Sequence, residues 1–563
     1  MKSFSVIILC SQIAWNAHAQ QPLKADNVFA QFGEVYFTFE ITDARSLQTL
    51  TTIISIDNVK ESTVWAYANQ NEFSNFTKTG IKYTLLPLPA ELVQAKVSDN
   101  PAQVLNWDYY PSYAAYETIM YQFQADHPDI CQIITIGTLP SGRKLLAAKI
   151  SDNIGVDEDE PEFMYVSTMH GDETTGYPTM LHLIDHLLSN YGSSDRITNM
   201  VNNMEIYINP LANPDGTYHG GNSSVNLATR YNANNVDLNR NFPDPENGQH
   251  PDGNQWQPET IAAMDFASAH HITMSCNFHG GIEVVNYPWD TWPKLHADNN
   301  WWIFVSREYA DTVHLHSPTG YMTDLINGIT NGYAWYEVNG GRQDYMNYFQ
   351  QGRESTIELS GVKLIPASQL ISYWNYNYRS LLNYMEQSLY GIRGIVTDSA
   401  TGEPLYAKVF ISGHDVDSTQ VYANLPVGDY HRLLKAGNYT LLFSAPGYRS
   451  KIFSNIVVTD KNTVRLDVQL NSDSMTSVDE PTRIWTKVFP NPATGDATVI
   501  KSDYPLTEIS ITDILGHVRK HEYLQSSCYV LPIDALANGI YILEIRSKNL
   551  RVIQQKLIIN RAK

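Results

Sequence analysis

The chain has 563 residues and a net charge of −21. That length is too great for one compact core, so several domains are expected, and the acidic balance excludes nucleic acid as a natural partner while mildly favouring cationic substrates. Residues 1–19 read as a signal peptide, with Lys2 at the basic start, an apolar run from Phe4 to Cys10 and the small-residue site Ala17-His18-Ala19. Leu9 stands before Cys10 where a lipoprotein signal needs a small residue, which argues against that anchor. No later apolar run is long enough to span a bilayer, so the expected location is secreted or attached to the outer surface. Cys131, Cys276 and Cys528 are too few and too scattered for a disulfide framework and show no CxxC spacing, so they are expected as buried small apolar residues.

Residues 20–104 form a propeptide-like segment with one clear strand, where Val35, Phe37, Phe39 and Ile41 alternate with polar neighbours. Ile53 to Ile56 suggests a second strand, whereas Leu85 to Ala90 and Ser98 to Pro101 read as linker. From residue 105 to 388 helices and strands interleave: a helix over Tyr113 to Ala125, strands over Cys131 to Ile136, Lys144 to Ile150 and Glu162 to Met169, a helix over Tyr177 to Ser189 and a strand over Met204 to Ile208. That pattern indicates an α/β domain. Residues 389–470 turn to short strands between turns, the pattern of a β-sandwich. Residues 471–484 read as a linker and residues 485–563 as a second β-sandwich, with strands over Ile509 to Ile514, Tyr541 to Arg546 and Val552 to Ile559.

His170 and Glu173 sit three apart after an expected strand, so they can face one way across one turn. Imidazole and carboxylate suit zinc, and a catalytic zinc keeps three protein ligands and one open position. His279, at the end of the run Ile272 to Phe278 and before Gly280-Gly281, is the third candidate. His270 and His271 are rivals at the start of that run.

Five motifs then occur in order: His170-Gly171-Asp172-Glu173, Asn213-Pro214-Asp215-Gly216, Val236-Asp237-Leu238-Asn239-Arg240-Asn241-Phe242-Pro243, Phe278-His279-Gly280-Gly281 and Thr356-Ile357-Glu358-Leu359-Ser360. Together they resemble the metallocarboxypeptidase family, and most the regulatory subfamily of carboxypeptidases D, E, M and N. The resemblance implies a mixed-sheet α/β catalytic domain followed by a transthyretin-like domain, the latter carried by Gly428 to Leu434 and Ala445-Pro446-Gly447-Tyr448. It implies one Zn2+ held by His170, Glu173 and His279, with Asp237 orienting a ligand imidazole. Glu358 becomes the general base, and Arg230 the group that stabilises the developing oxyanion. Asn239 and Arg240 would clamp the substrate's terminal carboxylate, and Tyr336 would close over it. Asp290, with Gln343 beside it, takes the place of the aspartate that pairs with a Lys or Arg side chain in the basic-specific members. Arg342 would oppose a basic substrate if it faced that pocket. Gly361 and Val362 stand where the subfamily often carries cysteines.

Val488-Phe489-Pro490-Asn491-Pro492, Asp513-Ile514-Leu515-Gly516 and Asn538-Gly539-Ile540-Tyr541 resemble the C-terminal sorting domain of the type IX secretion system of Bacteroidetes. The expected protein is therefore an exported zinc carboxypeptidase that removes C-terminal Lys or Arg from peptides and engages the secretion machinery through its C-terminal domain. A carboxypeptidase of other specificity, for instance towards cell-wall peptides, and an inactive peptide-binding surface protein are the alternatives. The N-terminal segment, placed between signal peptide and catalytic domain, is expected to shield the site.

Overall fold

Alternation in the first segment produces a small antiparallel sheet of β1 (Glu34–Glu40), β2 (Ser55–Lys60), β3 (Thr63–Asn69) and β4 (Tyr83–Leu86), in the order β2-β3-β1-β4. Val35, Phe37 and Phe39 of β1 are buried against Leu47, Phe73 and Phe76, which lie on the helices Ala44–Thr51 and Gln70–Thr77. Asn69 starts the second helix by accepting from two backbone N–H groups, and Glu72 reaches back to close a capping box. This computed structural model describes residues 23–41, 44–473, 486–513, 517–547 and 552–561. The expected signal peptide and most of the expected 471–484 linker lie outside the described residues.

Three expectations for this segment need correction. Ile53 and Ile54 form the turn after a helix, with Ile53 N–H bonded to the Leu50 carbonyl, and the strand begins only at Ser55. Leu85 and Leu86 belong to β4, and Pro89–Glu91 is a 3-10 turn. The Ser98 to Pro101 stretch ends β5 (Val97–Ser98) and opens a short helix: Asn100 caps Ala102, and Pro101 sits at the first helical position. Proline there marks a helix start because the missing N–H would be unpaired anyway. β5 pairs with β6 (Tyr110–Pro111).

The α/β domain is built on eight strands: β7 (Cys131–Thr138), β8 (Lys144–Ile150), β9 (Glu162–Ser167), β10 (Glu205–Asn209), β11 (Ile272–His279), β12 (Glu283–Tyr287), β13 (Ile329–Asn331) and β14 (Arg353–Leu359). Their order is β13-β12-β14-β11-β9-β10-β8-β7. The central run β10-β9-β11-β14 is parallel, with antiparallel partners β8 and β12 on its two sides. β11 is buried along its whole length, as expected for a central strand covered on both faces. Tyr177, Met180, Leu181 and Ile184 of the helix Gly176–Asn190 and Leu381, Leu382 and Met385 of the helix Leu370–Glu386 join its core.

Residues 391–470 form two four-stranded sheets whose facing residues, among them Ile392, Val396, Val409 and Leu441, share one core. The last strands there are Thr463–Arg465 and Val468–Leu470. Residues 1–473 and 474–563 are separate units. In the second unit the described strands make one five-stranded antiparallel sheet rather than two layers. The cause is the long strand Ala497–Asp513, which pairs with Thr486–Phe489 near its start and with Gly539–Ser547 near its end, so one strand serves both halves.

Candidate active site

Three neighbouring parallel strands end on the same side of the sheet, and each delivers a polar group there. His170 and Glu173 follow β9, His279 ends β11, and Glu358 is the next-to-last residue of β14, directly beside His279 in register. Sites in open α/β sheets lie outside the carboxyl ends of such strands. His270 Nδ1 instead meets Glu162 at 3.2 Å, and the His271 N–H bonds the same carboxylate at the far end of β11, which removes both rivals.

The stretch from His170 to Glu173 is not helical, as the spacing suggested, but a loop ahead of the helix Gly176–Asn190. It is held from below by Asn213, whose amide donates to the Met169 carbonyl at 3.1 Å, and by Thr217, which donates to the Gly171 carbonyl at 2.9 Å. His170 Nδ1 lies 3.0 Å from Glu173 Oε1 and 3.0 Å from His279 Nδ1, and His279 Nδ1 lies 2.8 Å from Glu173 Oε2. Two imidazole nitrogens and a carboxylate converging this closely are a zinc donor set. The opposite nitrogens support it. His170 Nε2 donates to Asp237 Oδ1 at 2.9 Å, which leaves the Nδ1 lone pair free for a metal. His279 Nε2 lies 2.7 Å from the Asn277 amide, which accepts its proton once Oδ1 is turned towards it. Burial, foremost, pulls the His279 imidazole down to about 4, so the ring stays neutral. Burial pushes Glu173 up, but His170, Lys363 and His279 outweigh it and hold the carboxylate well below its usual range.

Arg230 is buried over this centre, donating to Asp237 Oδ2 at 3.0 Å and to Glu173 Oε1 at 3.1 Å. Asp237 thereby ties the arginine to His170. Arg240 also lines the cavity, with its Nε buried and unpaired, and Asn239 stands next to it on the 3-10 turn that Asp237 caps. Tyr336 faces the same space. Burial first, and Glu173 second, push the Glu358 carboxyl well above its ordinary range.

Asp290 is buried, and Asn286 donates to its Oδ1 at 3.0 Å. Gly332 makes the room: a Cβ there would stand 1.6 Å from that oxygen. The Asp344 carboxylate accepts from the Asp290 and Thr291 N–H groups at 3.0 and 2.8 Å and so fixes the turn. Burial pushes Asp290 up to about 7. Gln343 is buried close by, and its side chain opposes part of that rise by hydrogen-bonding the Asp290 carboxyl. Arg342 does not face this pocket, since its guanidinium pairs with Glu354 at 3.0 Å.

Five groups in this region had no signal in the sequence. Lys363 Nζ donates to Glu173 Oε1 at 2.6 Å and to the Gly280 carbonyl at 3.1 Å. From the N-terminal sheet, Asp57 reaches Lys363 at 2.6 Å, Tyr67 donates to Asp172 at 2.7 Å, and Glu34 accepts from the Arg230 and Tyr231 N–H groups at 2.8 and 2.9 Å. The Ile56 carbonyl accepts from Arg240 Nη2 at 3.3 Å and from the Tyr336 hydroxyl at 3.4 Å. The cavity left over the centre is about 20 Å³, room for one water.

Residues 116–380 match the family described as zinc carboxypeptidase, residues 391–471 the carboxypeptidase regulatory-like domain, and residues 487–560 the secretion system C-terminal sorting domain. The sorting-domain match indicates a secreted or outer-surface protein. Carboxypeptidase SOL1 of Arabidopsis thaliana is 35% identical over 362 residues, covering 62% of this chain and 70% of that one. Carboxypeptidase M of Mus musculus is 33% identical, covering 59% and 77%. Carboxypeptidase D of Mus musculus is 35% identical over 63% of this chain, but the match spans only 26% of that protein's length.

Proposed function

Since the chain belongs to the zinc carboxypeptidase family, we propose that it hydrolyses the C-terminal residue of peptides and proteins, with Lys or Arg as that residue. The reading is carried by one observation: Arg240, with an unpaired buried Nε, lines the same cavity as His170, Glu173 and His279. A carboxylate-binding guanidinium at a hydrolytic centre restricts cleavage to chain ends. Zinc in this site would polarise the scissile carbonyl and lower the pKa of water towards about 7. Glu358 takes the proton of the attacking water and delivers it to the leaving amine. Arg230, held by Asp237, stabilises the oxyanion that develops at the carbonyl. Arg240 and Asn239 hold the terminal carboxylate, and Tyr336 covers it. Asp290 and Gln343 receive the last side chain. A buried carboxylate that meets a neutral side chain stays unpaired, which favours Lys and Arg.

Residues 20–104 keep the full chain latent. Support comes from Ile56, whose carbonyl occupies Arg240 and Tyr336, and from Asp57, seated between Lys363 and Arg230. The transthyretin-like domain over residues 389–470 supports the catalytic domain, and the sorting domain engages the secretion machinery. The test is substrate profiling on peptides ending in Lys, Arg, Phe or Glu, before and after removal of the N-terminal segment. Cleavage of Lys and Arg ends, rising after removal, is expected. Equal activity would sink the latency, and a preference for Phe or Glu would sink the basic specificity. Glu358→Gln is expected to abolish turnover with one zinc still bound.

A further inference from the structure

An ammonium has three N–H donors. Lys363, whose side chain is 3% exposed, spends two on fixed groups of the catalytic domain, Glu173 Oε1 at 2.6 Å and the Gly280 carbonyl at 3.1 Å. The third goes to Asp57 Oδ1 at 2.6 Å, and the same oxygen lies 3.4 Å from Arg230 Nη1. A carboxylate is thus already seated between two cations of the catalytic domain. Its neighbour Ile56 is held at a different station, by Arg240 and Tyr336. Glu173 brings negative charge to the same cavity, yet the Asp57 carboxylate sits beside it. Once Asp57 withdraws, one buried N–H of Lys363 faces the cleft without this acceptor, a costly state for a charged donor.

We infer that Lys363, with Arg230, forms an anion subsite for the residue on the amino side of the scissile bond, so that peptides with Asp or Glu next to last are taken ahead of neutral ones. The inference rests on the carboxypeptidase reading above. In that reading Arg240 holds the terminal carboxylate and Arg230 the scissile carbonyl, so the side chain of the preceding residue is the substrate group left to meet Lys363.

The test uses the zinc-loaded chain cut after β4 and washed free of its N-terminal piece, which removes both Asp57 and Ile56 from the cavity, and two peptides, acetyl-Ala-Glu-Arg and acetyl-Ala-Gln-Arg. An ion pair opened to solvent by the departure of β2 predicts a kcat/KM ratio of about fivefold in favour of Glu. Adding Lys363→Met is expected to bring the ratio to about one, and Lys363→Arg to restore it. A ratio that survives Lys363→Met, or that is one from the start, overturns the subsite. Calorimetric binding of both peptides to the same cut chain carrying Glu358→Gln reads the same preference without turnover. If neither peptide is cleaved, the carboxypeptidase reading fails while the binding ratio still decides the subsite: tighter binding of the Glu peptide upholds it, and equal or absent binding overturns it.

Discussion

Asp237 serves two partners at once, His170 through Oδ1 and Arg230 through Oδ2. Burial raises its carboxyl, but Arg230 and His170 outweigh that and hold it well below the ordinary carboxylate range. Asp237→Ala is expected to weaken zinc binding about 10–100-fold, measured by competition with a chelator. Its kcat should stay low even at saturating zinc, because Arg230 loses its tether. Asp290, pushed up to about 7 by burial, must be ionised to pair with a basic side chain. Activity towards Arg-ended peptides should therefore rise with pH through about 7, whereas activity on Phe-ended peptides should lack that step; a pH profile of kcat/KM on both checks it. His170, Glu173 and His279 could be singled out as candidate ligands because each sits in a short motif beside an apolar strand. Glu358 entered only through the resemblance of the ordered motifs, being otherwise one polar residue in a strand. Lys363 and Asp57 were not legible, because a lone lysine after Glu358 and a lone aspartate in a polar strand acquire meaning only when two distant segments meet.

Among the elements, the central strands were readable from their apolar runs, and Lys144–Ile150 and Val552–Ile559 have the expected ends. The turn carrying His170 was not, because three-residue spacing fits a helix and this loop equally well. Gly171 shows what selects the loop. A Cβ there would stand 2.4 Å from the Gly216 carbonyl carbon, 2.5 Å from the Thr217 nitrogen and 2.6 Å from the Thr229 oxygen, all backbone atoms. Gly171→Ala is expected to cost at least about 1–3 kcal/mol in thermal or urea unfolding and to weaken zinc binding as the loop shifts.

At the scale of the molecule, the catalytic and regulatory domains meet on Asp298. Its carboxylate accepts from Arg353 Nε at 2.9 Å and from Arg432 Nη1 and Nη2 at 2.8 and 3.0 Å, and Arg432 also donates to Asp415 at 2.7 Å. Arg353 opens β14, the strand that carries Glu358. Asp298→Ala leaves two buried guanidinium groups short of an anion and is expected to destabilise the unit by about 3–5 kcal/mol, seen as a lower denaturation midpoint. The two arginines hold Asp298 well below its ordinary range despite its burial. Its contribution is therefore complete above the unfolded carboxyl value of about 4 and is lost as pH falls below it, so stability should decline on acidification.

The seat of Ile56 and Asp57 has a kinetic consequence that contact distances alone do not express. If these residues keep the chain latent as proposed, then while β2 and the catalytic domain share one polypeptide the plug competes with substrate at an effective concentration on the order of millimolar, set by the tether and not by its own affinity. Cutting the chain between β4 and the helix Tyr113–Asp126 turns that intramolecular partner into an ordinary dissociable inhibitor. Activity regained after such a cut should then depend on dilution, rising as the nicked protein is made more dilute, a dependence the uncut chain cannot show.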